Sequence, residues 1–457
     1  MRLSALTPSE RRAVVIIGDL LLLTMALLLA YGIWAYRGDH PFTIAFLKKK
    51  AIWFVLSPIW FFLAAVGGLY EYRNLVSLER TLRGFATCGA IILISYTLLY
   101  FFAPKESLPR GVVLYHAFFS VGLVGGWRYL LLLLHGNPLF RRRCVVVAKG
   151  EEREGVISFL DQYPFYEVVG VSAEAPEMIV PLQGGDSVDL PSFVRTFDVD
   201  EILVTAPVYS DREVTKAIVF CGEKGITVTP FPLLYEELTG RVPIDHIREG
   251  WWHLLPFRVA ETGMLYPMLK RTADVIGAIL GLSFLGLTLP WVALAIKLDS
   301  KGPVFYRQVR VGRGGRTFTV WKLRTMRADA ERGKAVWAKE KDPRVTRVGR
   351  WLRKARFDEF PQCWNILKGE MSIIGPRPER PEFVKELRDL IPFFELRHSV
   401  KPGMAGWAMV NHGYVATVED AKARLEYDLY YIKHQSLWFD ALIFLRALLQ
   451  LFLFRGR

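Results

Sequence analysis

A chain of 457 residues that is 52% hydrophobic and carries a net charge of +14 is apolar for a soluble protein with so many ionisable groups, so its apolar residues must be segregated. The basic balance suits nucleic acid or an anionic membrane surface, and the long apolar runs favour the membrane. Four scattered cysteines, Cys88, Cys144, Cys221 and Cys363, lack CxxC spacing, which argues against a zinc site or a disulfide scaffold and fits a reducing compartment.

Four apolar segments open the chain: roughly Ala13 to Tyr36, Ala51 to Leu69, Phe85 to Phe102 and Val112 to Leu134. Each approaches the ~20 residues a helix needs to cross a bilayer. A membrane α-helical bundle over residues 1–140 is therefore predicted. Met1-Arg2-Leu3-Ser4 precedes the first run without a small-residue cleavage site, as expected of a retained helix rather than a signal peptide. The positive-inside rule places Arg2, Arg11 and Arg12, then Arg73, Arg80 and Arg83, then Arg141, Arg142 and Arg143 in the cytoplasm, and only Lys48-Lys49-Lys50 opposes it. Asp19 lies inside the first span, where an acid is a functional candidate by default. It sits near one end, so contact with the interface or a neighbouring helix is the preferred reading. The expected role of this half is anchoring and assembly.

From 141 to about 250 short apolar runs alternate with amphipathic ones. Strands are predicted at Cys144–Val147, Val168–Val171, Ile202–Val204 and Ile226–Val228, and helices at Glu151–Leu160, Leu190–Phe197 and Asp211–Cys221. The alternation implies a parallel, Rossmann-like α/β sheet. Its first strand-to-helix turn, Ala148 to Gly155, lacks GxGxxG. Glu151, Glu152 and Glu154 there would repel a pyrophosphate. A structural or regulatory module is expected, not a dinucleotide site.

Val275 to Ile296 is a run of 22 nearly continuous apolar residues after Lys270-Arg271-Thr272-Ala273-Asp274. As a helix of ~33 Å it would span a bilayer. Pro290 inside it predicts a break or kink, and the basic flanks Lys270-Arg271 and Lys297 favour neither end as the outside one. A crossing would also carry the residues that follow away from the cytoplasm. A helix-break-helix entering one leaflet and leaving on the same side, about 268–298, is the expectation.

Beyond it, Gly302 to Gln308 and Phe318 to Met326 read as strands around the basic glycine turn Arg310 to Arg316, and alternation puts Lys322 and Arg324 on one face. A helix carrying Arg353 and Arg356 follows Asp342-Pro343, and Gly375-Pro376-Arg377-Pro378 holds an arginine on a stiff loop. Asp358-Glu359 stands among these cations, with Pro361 three residues after Asp358. That spacing puts Asp358 at or near a helix N-cap, where backbone N–H groups and the dipole would keep it ionised. An oriented carboxylate can attack phosphorus, and its neighbour can hold a divalent ion. So many cations around two acids predict a polyanion site, such as one for a nucleotide diphosphate. Leu437 to Phe454 reads as an interfacial helix interrupted by Asp440, Arg446 and Gln450.

Six motifs now stand in order: Lys270-Arg271-Thr272-Ala273-Asp274, Lys322-Leu323-Arg324-Thr325-Met326, Asp358-Glu359-Phe360-Pro361-Gln362, Gly369-Glu370-Met371-Ser372, Gly375-Pro376-Arg377-Pro378 and Lys401-Pro402-Gly403-Met404-Ala405-Gly406-Trp407. Over about residues 266–457 the chain resembles the bacterial polyprenyl-phosphate sugar-1-phosphate transferases. As a whole it looks like their large monotopic members, which initiate exopolysaccharide or O-antigen units. The resemblance implies three parts: a four-helix transmembrane domain (1–140), the α/β module (141–250) and an α/β catalytic domain with a re-entrant helix (251–457). It also implies Asp358 as nucleophile, Glu359 as its partner, and Mg²⁺ at the pair. Lys322, Arg324, Arg353, Arg356 and Arg377 would bind the UDP-hexose, and Asp428 and Asp440 match acidic positions. Lys270, Arg271, Asp274 and Pro290 would belong to the membrane helix. Undecaprenyl phosphate is the implied acceptor, a homodimer the implied assembly, and the cytoplasmic membrane with its catalytic domain inside the implied location. Leu289-Pro290 departs from the Ser-Pro of many members, and the glycine-rich loop of many middle modules is missing. A membrane-anchored dehydratase or epimerase would need that fingerprint and a Tyr-x-x-x-Lys pair. A non-enzymatic scaffold of polysaccharide export would leave the acidic pair in its cationic shell without a purpose.

Overall fold

A computed structural model describes residues 6–38, 56–75, 77, 79–84, 87–89, 110–136, 141–150, 152–173, 175–205, 211–246, 263–327, 342–413 and 417–452. Two compact units divide the chain, Met1–Thr239 and Gly240–Arg457. Most of the predicted third span and Lys48-Lys49-Lys50 lie outside the described residues.

In the first unit a helix runs Pro8–Arg37. Thr7 and Glu10 form a capping box at its start, with Thr7 N donating to Glu10 Oε2 at 2.7 Å. The helix packs along a second one, Arg110–Gly136, with a shorter helix at Leu56–Val66. Asp19 is fully buried and accepts from Arg128 Nε at 3.1 Å and Nη2 at 2.5 Å. The expected neighbouring-helix contact is thus an ion pair with an arginine whose role the sequence reading missed. Among the described residues three helices are long and apolar enough to cross a membrane: Pro8–Arg37, Leu114–Leu134 within the second helix, and Leu265–Asp299 of the second unit.

The α/β module of the first unit holds six strands: β1 Arg142–Val147, β2 Tyr166–Ser172, β3 Met178–Pro181, β4 Val188–Asp189, β5 Glu201–Val204 and β6 Thr227–Pro230. Their order is β4-β3-β2-β1-β5-β6. β1 pairs in parallel with β2 and β5, and β5 with β6. The expectation of a parallel sheet needs correction at one edge, because β2-β3 and β3-β4 are antiparallel. β3 and β4 span four and two residues with no described helix between them and β2, so the strand–helix alternation from which a parallel sheet is read does not register them. The continuous apolar run of β1 has a physical cause. Val145 and Val147 fill one core with Ile202 and Val204, while Cys144 and Val146 fill another on the opposite face.

The second unit is built on the helix Leu265–Asp299. The expected break at Pro290 is absent: the helix continues through it as one element. Proline removes one hydrogen bond and crowds the carbonyl four residues back. That residue is Gly286, where even an added Cβ would meet nothing within 4 Å, so the backbone has room to yield. Both ends of this helix are fastened to the same fold. Near its start, Asp274 accepts from Ser372 Oγ and Ile373 N, at 3.0 and 2.9 Å. At its end, Asp299 Oδ2 accepts from Val348 N at 2.8 Å. Between them Gly277 and Gly281 allow close packing, since a Cβ would lie 2.5 Å from Ile373 Cδ1 and 2.6 Å from Cys363 Sγ, respectively. The opposite side exposes Ile276, Leu280, Leu287, Trp291, Leu294 and Leu298.

The hairpin β7 Phe305–Val311 and β8 Thr317–Leu323 pairs antiparallel from Phe305↔Leu323 to Val311↔Thr317. Its turn requires positive φ at Gly314 and Gly315, 65° and 74°, which explains the glycine pair. β9 Ser372–Ile374 and β10 Gly403–Ala405 form a short parallel ladder. A helix runs Leu437–Phe452, where the last apolar segment is expected to be helical. Its polar interruptions turn toward the fold: Arg446 lies over the Trp407 ring and Gln450 Nε2 donates to Val410 O.

Candidate active site

Three elements of the second unit bring the acidic pair to its cations. The helix Arg347–Lys354 begins at Thr346, whose Oγ1 accepts from Gly349 N at 3.0 Å. Gly349 is needed there, because a Cβ would stand 2.1 Å from Thr325 O. Arg353 Nε donates to Thr325 Oγ1 at 2.8 Å, tying this helix to the segment after β8. Arg356 then takes a left-handed backbone, φ 49°, a conformation that costs a non-glycine residue roughly 1–2 kcal/mol. It turns the chain into a 3₁₀ segment, Phe357–Gln362, whose first turn presents Asp358 and Glu359. Phe357 and Phe360 pack with Leu285, Leu289 and Val292 of the long helix, and so fix the segment from below.

The two carboxylates are equally buried, 8% and 6% exposed, and differently treated. Glu359 Oε1 accepts from Arg377 Nη2 at 2.6 Å and lies 3.4 Å from Lys322 Nζ, while its Oε2 is 3.8 Å from Arg356 Nη1. Asp358 makes no hydrogen bond or ion pair with any described residue. Burial alone would raise Glu359, but Arg377 and Lys322 outweigh it and hold the carboxyl well below the usual range. For Asp358 burial dominates, the Glu359 charge adds to it, and the carboxyl is pushed up. Asp358 is thus not the capping residue expected. It is the second residue of the 3₁₀ segment and caps nothing, so the low-dielectric site and its like-charged neighbour decide its state.

Arg377 is held from behind. Its carbonyl accepts from Arg397 Nη2 at 3.0 Å, and the same group donates to Asp428 Oδ2 at 2.7 Å. Glu379 sits among Arg424 at 2.7 Å, Arg310 at 3.6 Å and Arg397 at 3.9 Å. The loop itself is locked against the Lys401-Pro402-Gly403 motif. Gly375 N donates to Ala405 O, Gly403 N donates to Pro376 O, and a Cβ on Gly403 would lie 2.1 Å from Gly375 N. Asn365, fully buried, joins β8 to the helix Cys363–Lys368: its Nδ2 donates to Thr319 O and Glu370 Oε2, both at 2.7 Å.

Of the residues singled out in the sequence, Lys322, Arg356 and Arg377 are brought to Glu359, and Arg353 is close enough to act electrostatically on Asp358. Arg324 is not brought there. β8 ends at Leu323, so strand alternation no longer governs the next residue. Arg324 instead donates to Ser300 O at 2.6 Å and Lys301 O at 3.0 Å, closing the C-terminal end of the long helix. Asp428 stands one layer behind Arg377. Asp440 accepts from Lys270 Nζ at 2.8 Å, Tyr266 OH at 2.9 Å and Tyr431 OH at 2.8 Å, all within a structural cluster. Arg271 donates to Ile366 O and Leu367 O, the last turn of the helix behind the acidic pair. The sequence reading missed Arg310, Glu379, Arg397, Arg424 and Asn365. Only their charge or amide gave a signal, and many surface residues share that.

Among the described residues no three His, Cys, Asp or Glu side chains gather into a ready-made metal cage. The donor set still fits Mg²⁺, which binds through one or two carboxylates and completes its shell with water and substrate phosphates. The Asp358 carboxylate, which accepts no hydrogen bond from a described residue, would serve as the first ligand without breaking a contact.

The sequence pattern of the bacterial sugar transferase family matches residues 265–453, which hold every element of this site, and that of a CoA-binding domain matches residues 65–232. The UDP-N-acetylgalactosamine-undecaprenyl-phosphate N-acetylgalactosaminephosphotransferase of Aeromonas hydrophila is 43% identical over 229 residues, 50% of this chain and 53% of that protein. The UDP-glucose:undecaprenyl-phosphate glucose-1-phosphate transferase of Escherichia coli K12 is 45% identical over 175 residues, 38% of each chain. The chain thus spans about half the length, or less, of these two relatives. Against the exopolysaccharide production protein PSS of Rhizobium leguminosarum bv. phaseoli it is 37% identical over 179 residues, 38% of this chain and 90% of that one. The chain belongs to the bacterial sugar transferase family. The family match coincides with the second unit apart from its first and last residues, while the CoA-binding pattern ends within the first.

Proposed function

We propose that the second unit transfers a sugar-1-phosphate from a UDP-sugar to undecaprenyl phosphate, releasing UMP, through a phosphosugar-aspartyl intermediate on Asp358. The observation that carries this is a carboxylate more than nine-tenths buried, without a partner, facing a shell of cations already organised around its neighbour. An ionised Asp358 oxygen attacks the sugar-bearing phosphorus. An O–P bond forms, the anhydride bond breaks, and UMP leaves with its electron pair. Lys322, Arg353 and Arg377 favour the ionised form of Asp358 and offset charge that develops on the equatorial oxygens. An oxygen of the lipid phosphate then attacks the same phosphorus and restores the carboxylate. Mg²⁺ held by Asp358 and Glu359 would supply further charge neutralisation to the diphosphate. One phosphoanhydride replaces another, so no additional energy source is needed.

The lipid acceptor requires the site to rest on a membrane, on its cytoplasmic face where nucleotide sugars are. The helix Leu265–Asp299 is read as resting in one leaflet on the side of the site and not crossing the bilayer. Support comes from packing along its length, since Ala278, Leu285 and Ile296 are all buried in cores shared with the segments around the site, whereas a crossing helix would leave the fold for ~30 Å of hydrocarbon. The relatives' names carry both N-acetylgalactosamine and glucose, so the sugar is a hexose or an N-acetylhexosamine.

The test is UMP release by the full chain in nanodiscs with UDP-glucose, UDP-galactose and UDP-N-acetylgalactosamine, with and without undecaprenyl phosphate. Lipid-dependent turnover is expected with one or two sugars, together with exchange of labelled UMP into UDP-sugar in the absence of lipid. Asp358→Asn abolishes both while leaving the unfolding transition in place. Turnover without exchange would replace the covalent intermediate by direct attack of the lipid phosphate.

A further inference from the structure

Glu359 occupies cations that a diphosphate would need. Arg377 and Lys322 keep 29% and 20% of their side-chain surface open, so both can be reached from outside the site. Both hold Glu359 and leave its neighbour Asp358 with nothing. The backbone that carries the arginine is held in place, so Arg377 can follow Glu359 no further than its side chain reaches if that carboxylate moves. Pro376 and Pro378 stiffen its loop, and Arg397, itself fixed by Asp428, grips its carbonyl. The mobile member of the ion pair is therefore Glu359. A diphosphate brings at least two negative charges and several acceptor oxygens to the seat that Glu359 fills with one charge. A guanidinium also takes a phosphate in the same fork-like geometry as a carboxylate.

On the reading that this site takes a UDP-sugar, we propose that Glu359 is a resident counter-anion, seated on Arg377 and Lys322 until a nucleoside diphosphate displaces it. Displacement frees the Glu359 carboxylate to join Asp358 in holding a divalent cation. The exchange couples the two ligands: nucleotide binding creates the second metal-binding carboxylate, and the metal in turn keeps Glu359 off the cations. It also explains why adjacent, equally buried acids have such different surroundings, one saturated with partners and one bare.

The experiment measures UDP binding to the full chain in nanodiscs by calorimetry, in EDTA and in Mg²⁺, for the wild type and for Glu359→Gln, Glu359→Asp and Asp358→Asn. In EDTA, Glu359→Gln is expected to bind UDP about tenfold or more tightly than wild type. That is the scale of losing one competing hydrogen bond between charged groups. Glu359→Asp, which keeps the charge but shortens the reach by one methylene, falls between the two and covers the case of a Gln variant that does not fold. Asp358→Asn removes the same charge one residue away, from a carboxylate that takes no hydrogen bond from Arg377 or Lys322, and gains much less. Mg²⁺ tightens UDP binding to wild type and has little effect on Glu359→Gln. Equal gains in Asp358→Asn and Glu359→Gln would reduce the effect to general repulsion and overturn the exchange. So would unchanged or weaker metal-free binding in both Glu359 variants. If wild type binds no UDP in either condition, the nucleotide reading of the site falls, and this inference falls with it.

Discussion

At the scale of single residues, the second unit separates ionisable groups by what surrounds them more than by their type. Asp358 and Glu359 show this at the site, and Glu426 shows it away from it. Glu426 is 8% exposed, and its Oε2 lies 3.9 Å from Arg241 Nη1. Burial outweighs that arginine and pushes the carboxyl up to about 7. A carboxyl with a raised folded-state pKa binds its proton more tightly in the folded than in the unfolded chain. Its effect on stability is therefore absent at low pH. It becomes a penalty as pH rises from the ordinary carboxylate range through about 7. The melting temperature of the wild type should fall between pH 5 and pH 8, and Glu426→Gln should flatten that fall. Parallel melting profiles for the two proteins would refute the assignment.

At the scale of elements, the long helix is the part on which the others are assembled, and its polar residues act as fasteners. Arg271 closes the helix behind the acidic pair, Asp274 receives β9, and Lys270 enters the Asp440 cluster. Arg324 belongs to this set, although its sequence position next to Lys322 suggests a substrate role. Arg324→Met should lower the melting temperature, because the Ser300 and Lys301 carbonyls at the helix end lose a charged donor, each such bond being worth at most roughly 1.5–3 kcal/mol. The KM for UDP-sugar should stay near the wild-type value. Lys322→Met should do the reverse, raising KM with a smaller change in stability. A large KM effect in Arg324→Met would return that residue to the substrate site.

At the scale of the whole molecule, the site is complete within Gly240–Arg457, and all its described contacts are internal to that unit. Residues 240–457 expressed alone should keep sugar-phosphate transfer in nanodiscs, within about an order of magnitude of the full chain. Complete loss of turnover in a folded fragment would assign the first unit a part in the reaction. The sequence by itself determined the order of the elements, the membrane-suited runs, the alternating module and the cation-rich acidic pair. These features rest on local periodicity, on proline and glycine signals and on charge type, all of which are read along the chain. Only the tertiary structure decided the antiparallel edge of the sheet, the continuity of the helix through Pro290, the partner of Asp19 and the distinct contacts of Lys322 and Arg324. It also decided which of two adjacent carboxylates is saturated and which is bare. Each of these depends on residues far apart in sequence: Asp19 meets Arg128, Glu359 meets Arg377, and Arg324 meets Ser300. An isolated charge in a sequence carries no record of the backbone carbonyl or counter-ion that packing will bring to it.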